Sequence, residues 1–441
     1  MSINSKGYYK YEEIIISFCI YTGLSQTLFS KEEIVTPEQS RFESLSKLTK
    51  VIGTVEKYYV DDIKLQEIVD KSLKGLMQEL DAHSSYLDKK ASKEMNVQTQ
   101  GEFGGLGITV GMRDGALTVI SPIDDTPAFK AGIKALDIIL KIDETSSINM
   151  TLDEAVNLMR GKPKTDIVLT IVRKGELKPL EIKIQRDIIK IQSVFSKVIE
   201  NENLLYLRIA SFDANVTEDL EKIIMANQDK KGLILDLRNN PGGLLSQAIG
   251  VVDLFVDKGI IVSQKGRNAE DEEKFEASSA NTRTKLPLVV LVNEGSASAS
   301  EIVSGSLQDH KRAIVIGEKT FGKGSVQAVL PIDNEKTENI KLTIAKYYLP
   351  SGRTIQAVGV TPDVIANAGK VTQSEDNGFK IKEADLKKHL EGELEKVSDV
   401  KKEEKVLENE TKKVITGEDI LADNQLNTSM AILKSLIIMN K

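Results

Sequence analysis

Apolar side chains divide this chain into stretches of helical spacing and stretches of strand spacing. Between residues 41 and 95 they recur at steps of three and four, as at Leu45, Leu48 and Val51, which predicts amphipathic helices. From residue 188 to about 366, short apolar runs alternate with helical spacing, which indicates a layered α/β domain. The strands expected there are 204–209, 232–237, 288–292, 313–316 and 342–347, and the helices are 218–225, 244–254 and 301–307.

Residues 101–187 have a different pattern, in which short strands enclose two helices. The second helix is expected at Leu152–Met159, with Thr151 as its N-cap. The unit opens with a glycine-rich loop, Gly105-Leu106-Gly107-Ile108. Successive backbone N–H groups in such a loop can bind a carboxylate, and the adjoining strand edge can bind an extended peptide. The alternative is an ordinary β-turn in a small barrel. The strands expected in the unit are 108–110, 117–120, 138–142, 167–172 and 180–184.

The two ends of the chain differ from this globular pattern. Ile14–Leu24 is an apolar run preceded by Lys6 and Lys10, which predicts an export signal, although a buried N-terminal helix is the alternative. The run is too short for a comfortable membrane span. Residues 387–413 are rich in Lys and Glu and indicate an exposed helix or linker, followed by a final amphipathic helix at 426–438.

Composition narrows the class of protein. A chain of 441 residues is too long for one ordinary hydrophobic core. The net charge of −7 and the absence of a basic patch with interleaved aromatics argue against nucleic-acid binding. The single cysteine, Cys19, excludes an internal disulfide framework and a cysteine-based zinc site.

Candidate chemistry lies in the alternating serines that follow the apolar run at 286–293. Ser296, Ser298 and Ser300 stand between a predicted strand and a predicted helix, where a nucleophile is exposed and helix N–H groups face an oxyanion. By local pattern alone any of the three can be the nucleophile. Ser300, before Glu301, is also a reasonable helix N-cap.

Serine needs a base, and the three histidines of this chain do not lie in a glycine-flanked context that is typical of a site. Lys323 does, between Gly322 and Gly324, and serine–lysine pairs are a variant of the catalytic triad. The alternative for an isolated lysine of this kind is a solvated loop residue.

Five motifs follow one another along the chain. They are Asp81-Ala-His-Ser-Ser-Tyr-Leu87, Gly105-Leu-Gly-Ile108, Leu235-Asp-Leu-Arg-Asn-Asn-Pro-Gly-Gly243, Gly295-Ser-Ala-Ser-Ala-Ser-Glu301 and Thr320-Phe-Gly-Lys-Gly-Ser-Val-Gln327. In this order they resemble the motifs of the carboxy-terminal processing proteases, a family of tail-specific serine peptidases with an embedded PDZ domain. The resemblance covers roughly residues 45–365.

The resemblance implies a role for each residue of the site. It singles out Ser298 as nucleophile, Lys323 as base and Gln327 as a third member that orients the lysine. A neutral amine is needed, so burial without a partner carboxylate must lower the pKa of Lys323. The oxyanion donors are expected to be the N–H of Ala299 and one from the glycine turn.

Missing side chains let the backbone of this turn approach a substrate carbonyl. Between its two glycine donors we favour Gly243 over Gly242. Asp236 and Arg238 are expected to be a structural pair that supports the turn. No metal or cofactor is expected. The peptide-binding residues are expected to be Gly105, Leu106, Gly107 and Ile108.

The expected fold is multidomain α/β, with a layered, crotonase-like protease core and an inserted PDZ domain. The departures from the family pattern are Ala82 in place of proline, Ala135-Leu136 in place of a Pro-Gly pair, and Lys164 where glycine is common. The predicted segments are an N-terminal segment 1–40, a helical region 41–100, the PDZ domain 101–187, the core 188–366 and a charged helical region 367–441.

The predicted function is a serine endopeptidase that cleaves proteins near their C-terminus, acting on unstructured apolar tails with a free carboxylate. The expected location is the bacterial cell envelope, periplasmic or membrane-associated. A homodimer and an adaptor protein are further expectations. The alternatives from other classes are a non-catalytic PDZ scaffold and a crotonase-like acyl-CoA enzyme.

Overall fold

The computed structural model describes residues 37–113, 115–199, 201–371 and 414–439. The chain divides into two compact units, residues 1–72 and 73–441. The first contains helix α1, Pro37–Tyr58, and the start of α2, which begins at Leu65 and ends at Gln78 in the second unit. The apolar run at 14–24 and the Lys/Glu-rich stretch at 387–413 lie outside the described residues, so the export signal stays a prediction. None of the described helices combines the length and apolar character needed to span a membrane.

The motif at 81–87 contains a turn and a strand. Strand β1, Ser85–Leu87, follows the turn, and helix α3, Lys89–Gln100, follows the strand. Asp88 caps α3, because its side chain accepts a hydrogen bond from the backbone N–H of Ala91. Helical structure therefore continues past residue 95, and the turn before it is tied to a sheet.

The described part of the glycine-rich unit consists of eight strands and two helices around its own core. A two-stranded sheet pairs its first and last strands, and the other strands are ordered β3-β4-β5-β7-β8 with β6 beside β5. Thr151 caps α5 in a reciprocal capping box with Glu154, as predicted. The elements are β2 Glu102–Gly105, β3 Ile108–Arg113, β4 Ala116–Pro122, α4 Pro127–Lys130, β5 Ile138–Ile142, β6 Thr145–Ser146, α5 Leu152–Met159, β7 Asp166–Val172, β8 Leu180–Gln185 and β9 Asp187–Lys190.

The remaining elements build a larger α/β body. They are β10 Val194–Ile199, β11 Leu204–Ile209, α6 Val216–Ala226, β12 Gly232–Asp236, α7 Leu245–Asp253, β13 Lys258–Lys265, β14 Glu272–Ser278, β15 Leu288–Val292, α8 Ala299–Asp309, β16 Ile314–Gly317, β17 Ser325–Pro331, β18 Asn339–Tyr348, β19 Val364–Ile365, β20 Val414–Ile415, α9 Gly417–Leu421 and α10 Asn424–Met439.

A seven-stranded sheet, ordered β19-β16-β15-β12-β11-β10-β20, is the middle layer of this body. Alternate residues of its strands point to opposite faces and enter two separate cores. Leu233 and Val290 pack with the helices α6, α7 and α8, whereas Ile234 and Val289 pack with α10. Because both faces are covered, β12 and β15 are buried throughout and read as continuous apolar runs.

A second sheet lies beside the first. The sequence pattern predicts one of its strands, at 342–347 within β18, and not the others. The sheet is ordered β1-β18-β13-β14, and β17 pairs with β18. Strand β14 has the sequence EEKFEAS, whose exposed and mostly charged residues lack the apolar pattern that predicts a strand. Strand β17 carries Gln327, and β1 joins the sheet from the 81–87 motif.

Candidate active site

Ser298 lies between β15 and α8, directly before the first residue of α8. It is the N-cap residue of α8 and adopts φ 52° and ψ −110°, in a region that non-glycine residues rarely occupy. Such strain at the start of a helix is common for functional residues. The assignment of the cap to Ser300 was therefore wrong, since Ser300 lies inside the helix. Ser298 is 7% exposed.

The two neighbouring serines have structural hydrogen bonds. The Ser296 hydroxyl donates to the carbonyl of Leu237 at 2.8 Å, and the Ser300 hydroxyl donates to the carbonyl of Asn240 at 2.9 Å. Both serines are fully buried. Within the described ranges, no hydrogen bond donated by the Ser298 hydroxyl is found. The surroundings therefore separate Ser298 from the two serines that the local pattern could not exclude.

Glu301 connects the loops that carry Ser298 and Lys323. Its Oε2 accepts hydrogen bonds from the backbone N–H groups of Ser298 at 2.8 Å and Lys323 at 2.9 Å. Its Oε1 accepts from the Thr320 hydroxyl at 2.6 Å and from Gly322 N–H at 2.7 Å. The carboxylate is fully buried, so these four donors replace its hydration. The sequence analysis missed this role, although Ser298 and Glu301 have the spacing of a capping box.

Lys323 is half-buried, two residues before β17 begins. Burial is the main cause that lowers the pKa of its amine, and the positive charge of Lys341 lowers it further. The negative charge of Glu301 acts in the opposite direction without reversing the shift. No ion pair of Lys323 is found among the described residues.

Gln327 lies on β17 at an irregularity in its pairing with β18, between Val326 and Gln327. Its amide nitrogen donates to the Ser325 hydroxyl at 2.9 Å and to the Thr343 hydroxyl at 3.1 Å. A hydrogen bond from Gln327 to Lys323 is not found in the described part of the chain. The Gln327 amide nitrogen therefore has two hydroxyl acceptors, and the amide oxygen can accept a hydrogen bond from another donor.

The glycine turn 241–243 lies directly against Ser298. A Cβ atom on Gly242 would be 2.9 Å from Ser298 Cβ and 3.0 Å from Ala299 N. The Gly242 N–H already donates to Asn240 Oδ1 at 2.8 Å. For the N–H groups of Gly243 and Ala299, no acceptor is found within the described residues, so both can donate to a substrate.

The predicted pair below this turn is present. Arg238 Nη2 lies 2.6 Å from Asp236 Oδ2, and Arg238 also donates to Asp423 and Gln425 in the C-terminal segment. Asp236 accepts in addition from the Tyr206 hydroxyl at 2.7 Å. The base of the glycine turn is thus held from two sides by charge-assisted hydrogen bonds.

A groove of about 300 Å³ runs beside the loop at 105–108. The carbonyls of Leu106 and Gly107 are used within the unit, by Ala128 N–H and Ile123 N–H. Their own N–H groups have no acceptor within the described residues. The groove is lined by Phe103, Gly105, Leu106, Gly107, Ile108, Thr109, Val110, Ile123, Val156, Met159 and Arg160.

Arg160 is a groove residue that the sequence analysis did not identify. Its guanidinium lies over the ring of Phe103, with 4.7 Å between Cζ and the ring centroid. Its Nε is buried and is without a hydrogen-bond partner in the described ranges. A buried cationic donor of this kind suits an anionic ligand. Over those same ranges, no group of three or more metal-ligating side chains is present.

Comparisons with known proteins agree with this geometry. A family profile described as peptidase family S41 matches residues 203–366, and a PDZ domain profile matches residues 104–184. The carboxy-terminal-processing protease of Bartonella bacilliformis is 43% identical over 389 residues, which cover 86% of this chain and 89% of that protein. The chain belongs to the carboxy-terminal processing proteases of peptidase family S41.

Two other known proteins are similar to this chain. The carboxy-terminal processing protease CtpA of Bacillus subtilis is 37% identical over 377 residues, which cover 82% of this chain and 79% of that protein. Among solved structures, the photosystem II D1 C-terminal processing protease aligns at 27% identity with a TM-score of 0.42, over 75% of this chain and 88% of that one. The family model and the two sequence relatives show that the chain is a serine-type peptidase, which favours this class over the scaffold and acyl-CoA alternatives.

Two departures of this S41 peptidase from the family pattern fall at special backbone positions. Leu136 and Lys164 both have a φ of 68°, in the left-handed region where glycine is unstrained. A side chain there costs about 1–2 kcal/mol. The turns of the PDZ domain are thus formed despite the substitutions, at a cost in stability.

Proposed function

We propose that this S41 peptidase is an endopeptidase that cleaves proteins near their C-terminus, with Ser298 as nucleophile and Lys323 as general base. The observation that carries the proposal is the shared contact with Glu301. The backbone nitrogens of both residues lie within 3 Å of the same carboxylate oxygen. Residues from two separate motifs therefore meet at one point, as a nucleophile and its base must.

The lowered pKa of Lys323 supports its role as the base. A neutral amine can take the proton from Ser298 Oγ while that oxygen attacks the scissile carbonyl carbon. The protonated lysine then gives its proton to the leaving amine, and water hydrolyses the acyl-enzyme. Without burial the amine would be protonated at neutral pH and would not act as a base.

The oxyanion of the tetrahedral intermediate is expected to accept hydrogen bonds from Ala299 and Gly243. Both N–H groups lack another acceptor among the described residues, whereas the N–H of Gly242 is used by Asn240. Donors that are already aligned need no reorganisation during the reaction.

The third member of the proposed site is Gln327, which orients Lys323. Its amide nitrogen is occupied by two hydroxyls, so its oxygen is available to accept a hydrogen bond from the lysine amine. An uncharged acceptor suits this position, because a carboxylate there would raise the pKa of the amine.

The PDZ groove is proposed to bind the free C-terminus of an unstructured substrate. The open N–H groups of Leu106 and Gly107 suit the terminal carboxylate, and Arg160 adds a positive charge beside them. The apolar lining, which includes Ile108 and Met159, suits a last residue such as Ala, Val or Leu. Docking there would deliver the tail to Ser298 or release a block on the site.

An envelope location, a homodimer and an adaptor remain parts of the proposal that rest on the sequence. The export signal predicted at 14–24 motivates the location. Fractionation of cells that express the full chain tests it, and recovery only in the cytoplasm would contradict it. Sedimentation of the purified protein, alone and with envelope extract, tests self-association and an adaptor.

The test of the chemistry is cleavage of an unstructured peptide that ends in an apolar residue. Ser298→Ala, Lys323→Ala and Lys323→Arg should each abolish turnover in a folded protein, since arginine cannot give up its proton. Ser306→Ala is the matched control, because Ser306 is a buried serine on the same helix whose hydroxyl has no partner among the described residues. Full activity of Ser298→Ala would contradict the assignment.

A further inference from the structure

The turn at 81–84 belongs to a motif that the proposed chemistry does not use, yet it lies next to Gln327. The carboxylate of Asp81 accepts backbone N–H bonds from His83 at 2.7 Å and Ser84 at 2.8 Å. It also accepts from the Ser84 hydroxyl at 2.7 Å and from the Thr343 hydroxyl at 3.2 Å. Thr343 is in turn the hydroxyl that contacts the Gln327 amide nitrogen at 3.1 Å. A continuous chain of hydrogen bonds therefore joins the turn to the third member of the proposed site.

The chemistry of these groups determines the direction of each hydrogen bond. An ionised carboxylate can only accept, so the single hydroxyl proton of Thr343 is given to Asp81. The Ser84 hydroxyl likewise donates its single proton to Asp81, at 2.7 Å, so it cannot also donate to Thr343. The oxygen of Thr343 is therefore an acceptor towards Gln327, and the group facing it must be the amide nitrogen.

We propose that Asp81 and Thr343 are positioning residues that select the orientation of the Gln327 amide, with the oxygen directed away from Thr343 and available to the catalytic lysine. This inference rests on the proposed function, since it assumes that Gln327 orients Lys323. Neither Asp81 nor Thr343 is a catalytic residue here, because each acts through Gln327.

Two further observations support the proposal. Burial tends to raise the pKa of Asp81, but the hydrogen bonds from Ser84, His83 and Thr343 outweigh it and lower the pKa to about 2. Asp81 is therefore an obligate acceptor at any pH at which the peptidase is assayed. Burial lowers the pKa of His83, and the charge of Lys323 lowers it further, which is expected if the turn lies beside the lysine amine.

The first test compares three variants at Thr343 and near it. Thr343→Val removes the hydroxyl at nearly constant shape and should lower kcat about ten-fold or more, with KM changed less than about two-fold. Thr343→Ser keeps the hydroxyl and should restore activity. The matched control is Ser92→Ala, which removes a buried hydroxyl that accepts from Asn339, the first residue of β18, at 3.0 Å. No hydrogen bond joins Ser92 to Gln327 within the described residues. Equal kcat for Thr343→Val and Ser92→Ala would overturn the proposal.

A double-mutant cycle then separates positioning from a general structural effect. If Thr343 acts through Gln327, Thr343→Val should lower kcat by less than about two-fold in a Gln327→Ala background. The Asp81→Asn amide can donate to Thr343 and so reverse the direction of the hydrogen bond between them. This change should likewise lower kcat by less than about two-fold in a Gln327→Ala background. The pH at which kcat/KM is half-maximal should also move in Thr343→Val and stay unchanged in Ser92→Ala.

The outcomes distinguish this inference from the proposed function. Reduced kcat in Gln327→Ala, with a further multiplicative loss on adding Thr343→Val, would overturn the inference and leave the proposed site intact. Full activity of Gln327→Ala would remove Gln327 from the proposed site, and the inference would fail with it.

Discussion

Replacing the buried Glu301 by glutamine should weaken both the stability of the peptidase and its rate of cleavage. Glu301→Gln keeps the shape of the side chain but turns one of its two acceptor oxygens into a donor. The oxygen that remains can still accept from Ser298 and Lys323. The new amide nitrogen would then face the Thr320 hydroxyl, which can rotate, and the Gly322 N–H, which cannot.

The magnitude follows from those contacts. The Gly322 N–H would be left buried without an acceptor, which costs about 1–3 kcal/mol. The other three hydrogen bonds would lose their charge assistance, and a charge-assisted bond is roughly twice as strong as a neutral one. We therefore expect the free energy of unfolding to fall by about 2–4 kcal/mol. Displacement of the backbone at Ser298 and Lys323 should lower kcat by about 10²-fold.

The same substitution should move the pH profile in a defined direction. Glu301 raises the pKa of Lys323, so removing its negative charge lowers that pKa further. In the proposed mechanism the active form of Lys323 is the neutral amine, and a lower pKa makes this form available at lower pH. The acid limb of kcat/KM should therefore shift to lower pH in Glu301→Gln.

Urea denaturation and a pH series of peptide cleavage measure these effects. The matched control is Ser304→Ala on the same helix, where the hydroxyl donates to the carbonyls of Ser300 and Glu301 and to no other group in the described ranges. It should lose less than about 1 kcal/mol and keep its activity. The reasoning would be refuted if Glu301→Gln matched this control in stability and rate, or if its acid limb moved to higher pH.

Three further predictions concern other parts of the chain. Lys341→Gln removes a positive charge that lowers the pKa of Lys323, so the acid limb of kcat/KM should shift to higher pH, and a shift to lower pH would contradict this cause. Arg160→Gln should raise KM for a peptide with a free C-terminal carboxylate and hardly change KM for the same peptide with a C-terminal amide. Equal changes in KM for the two peptides would show that Arg160 does not bind the carboxylate. Leu136→Gly should raise the free energy of unfolding, measured in urea, by roughly 0.5–1 kcal/mol. The reason is that relief of the strained left-handed backbone exceeds the entropic cost of glycine. A lower free energy of unfolding would instead show that the exposed leucine side chain contributes stabilising contacts.

Several elements could be predicted from the sequence because their signals are local. Strands 204–209 and 288–292 and helix 152–159 have the predicted bounds. The two strands are buried on both faces and therefore form continuous apolar runs. The helix carries its own capping box at Thr151. Such signals require no knowledge of distant residues.

The second sheet could not be read in this way. Strand β14 is mostly exposed and charged, and β17 follows the glycine-flanked Lys323, which reads as a loop. Strands β13 and β14 are neighbours in the chain, as are β17 and β18, and their pairings form two hairpins. The hairpins become one sheet because β13 and β1 both pair with β18, far away in the chain. Pairing between strands that are distant in sequence leaves a weak local pattern when one face is solvated.

For the site, the sequence by itself determined which residue types stand in which motifs, and these motifs predict a serine nucleophile, a lysine base and a glycine turn. It could not choose among Ser296, Ser298 and Ser300 by local pattern, because all three share one setting. Only the tertiary structure gives two of these hydroxyls carbonyl partners. Only the tertiary structure brings the Glu301 carboxylate to the N–H groups of Ser298 and Lys323, and the Asp81 turn to Thr343. These contacts join residues separated by up to 262 positions, and such contacts depend on how the sheets and helices pack rather than on local spacing.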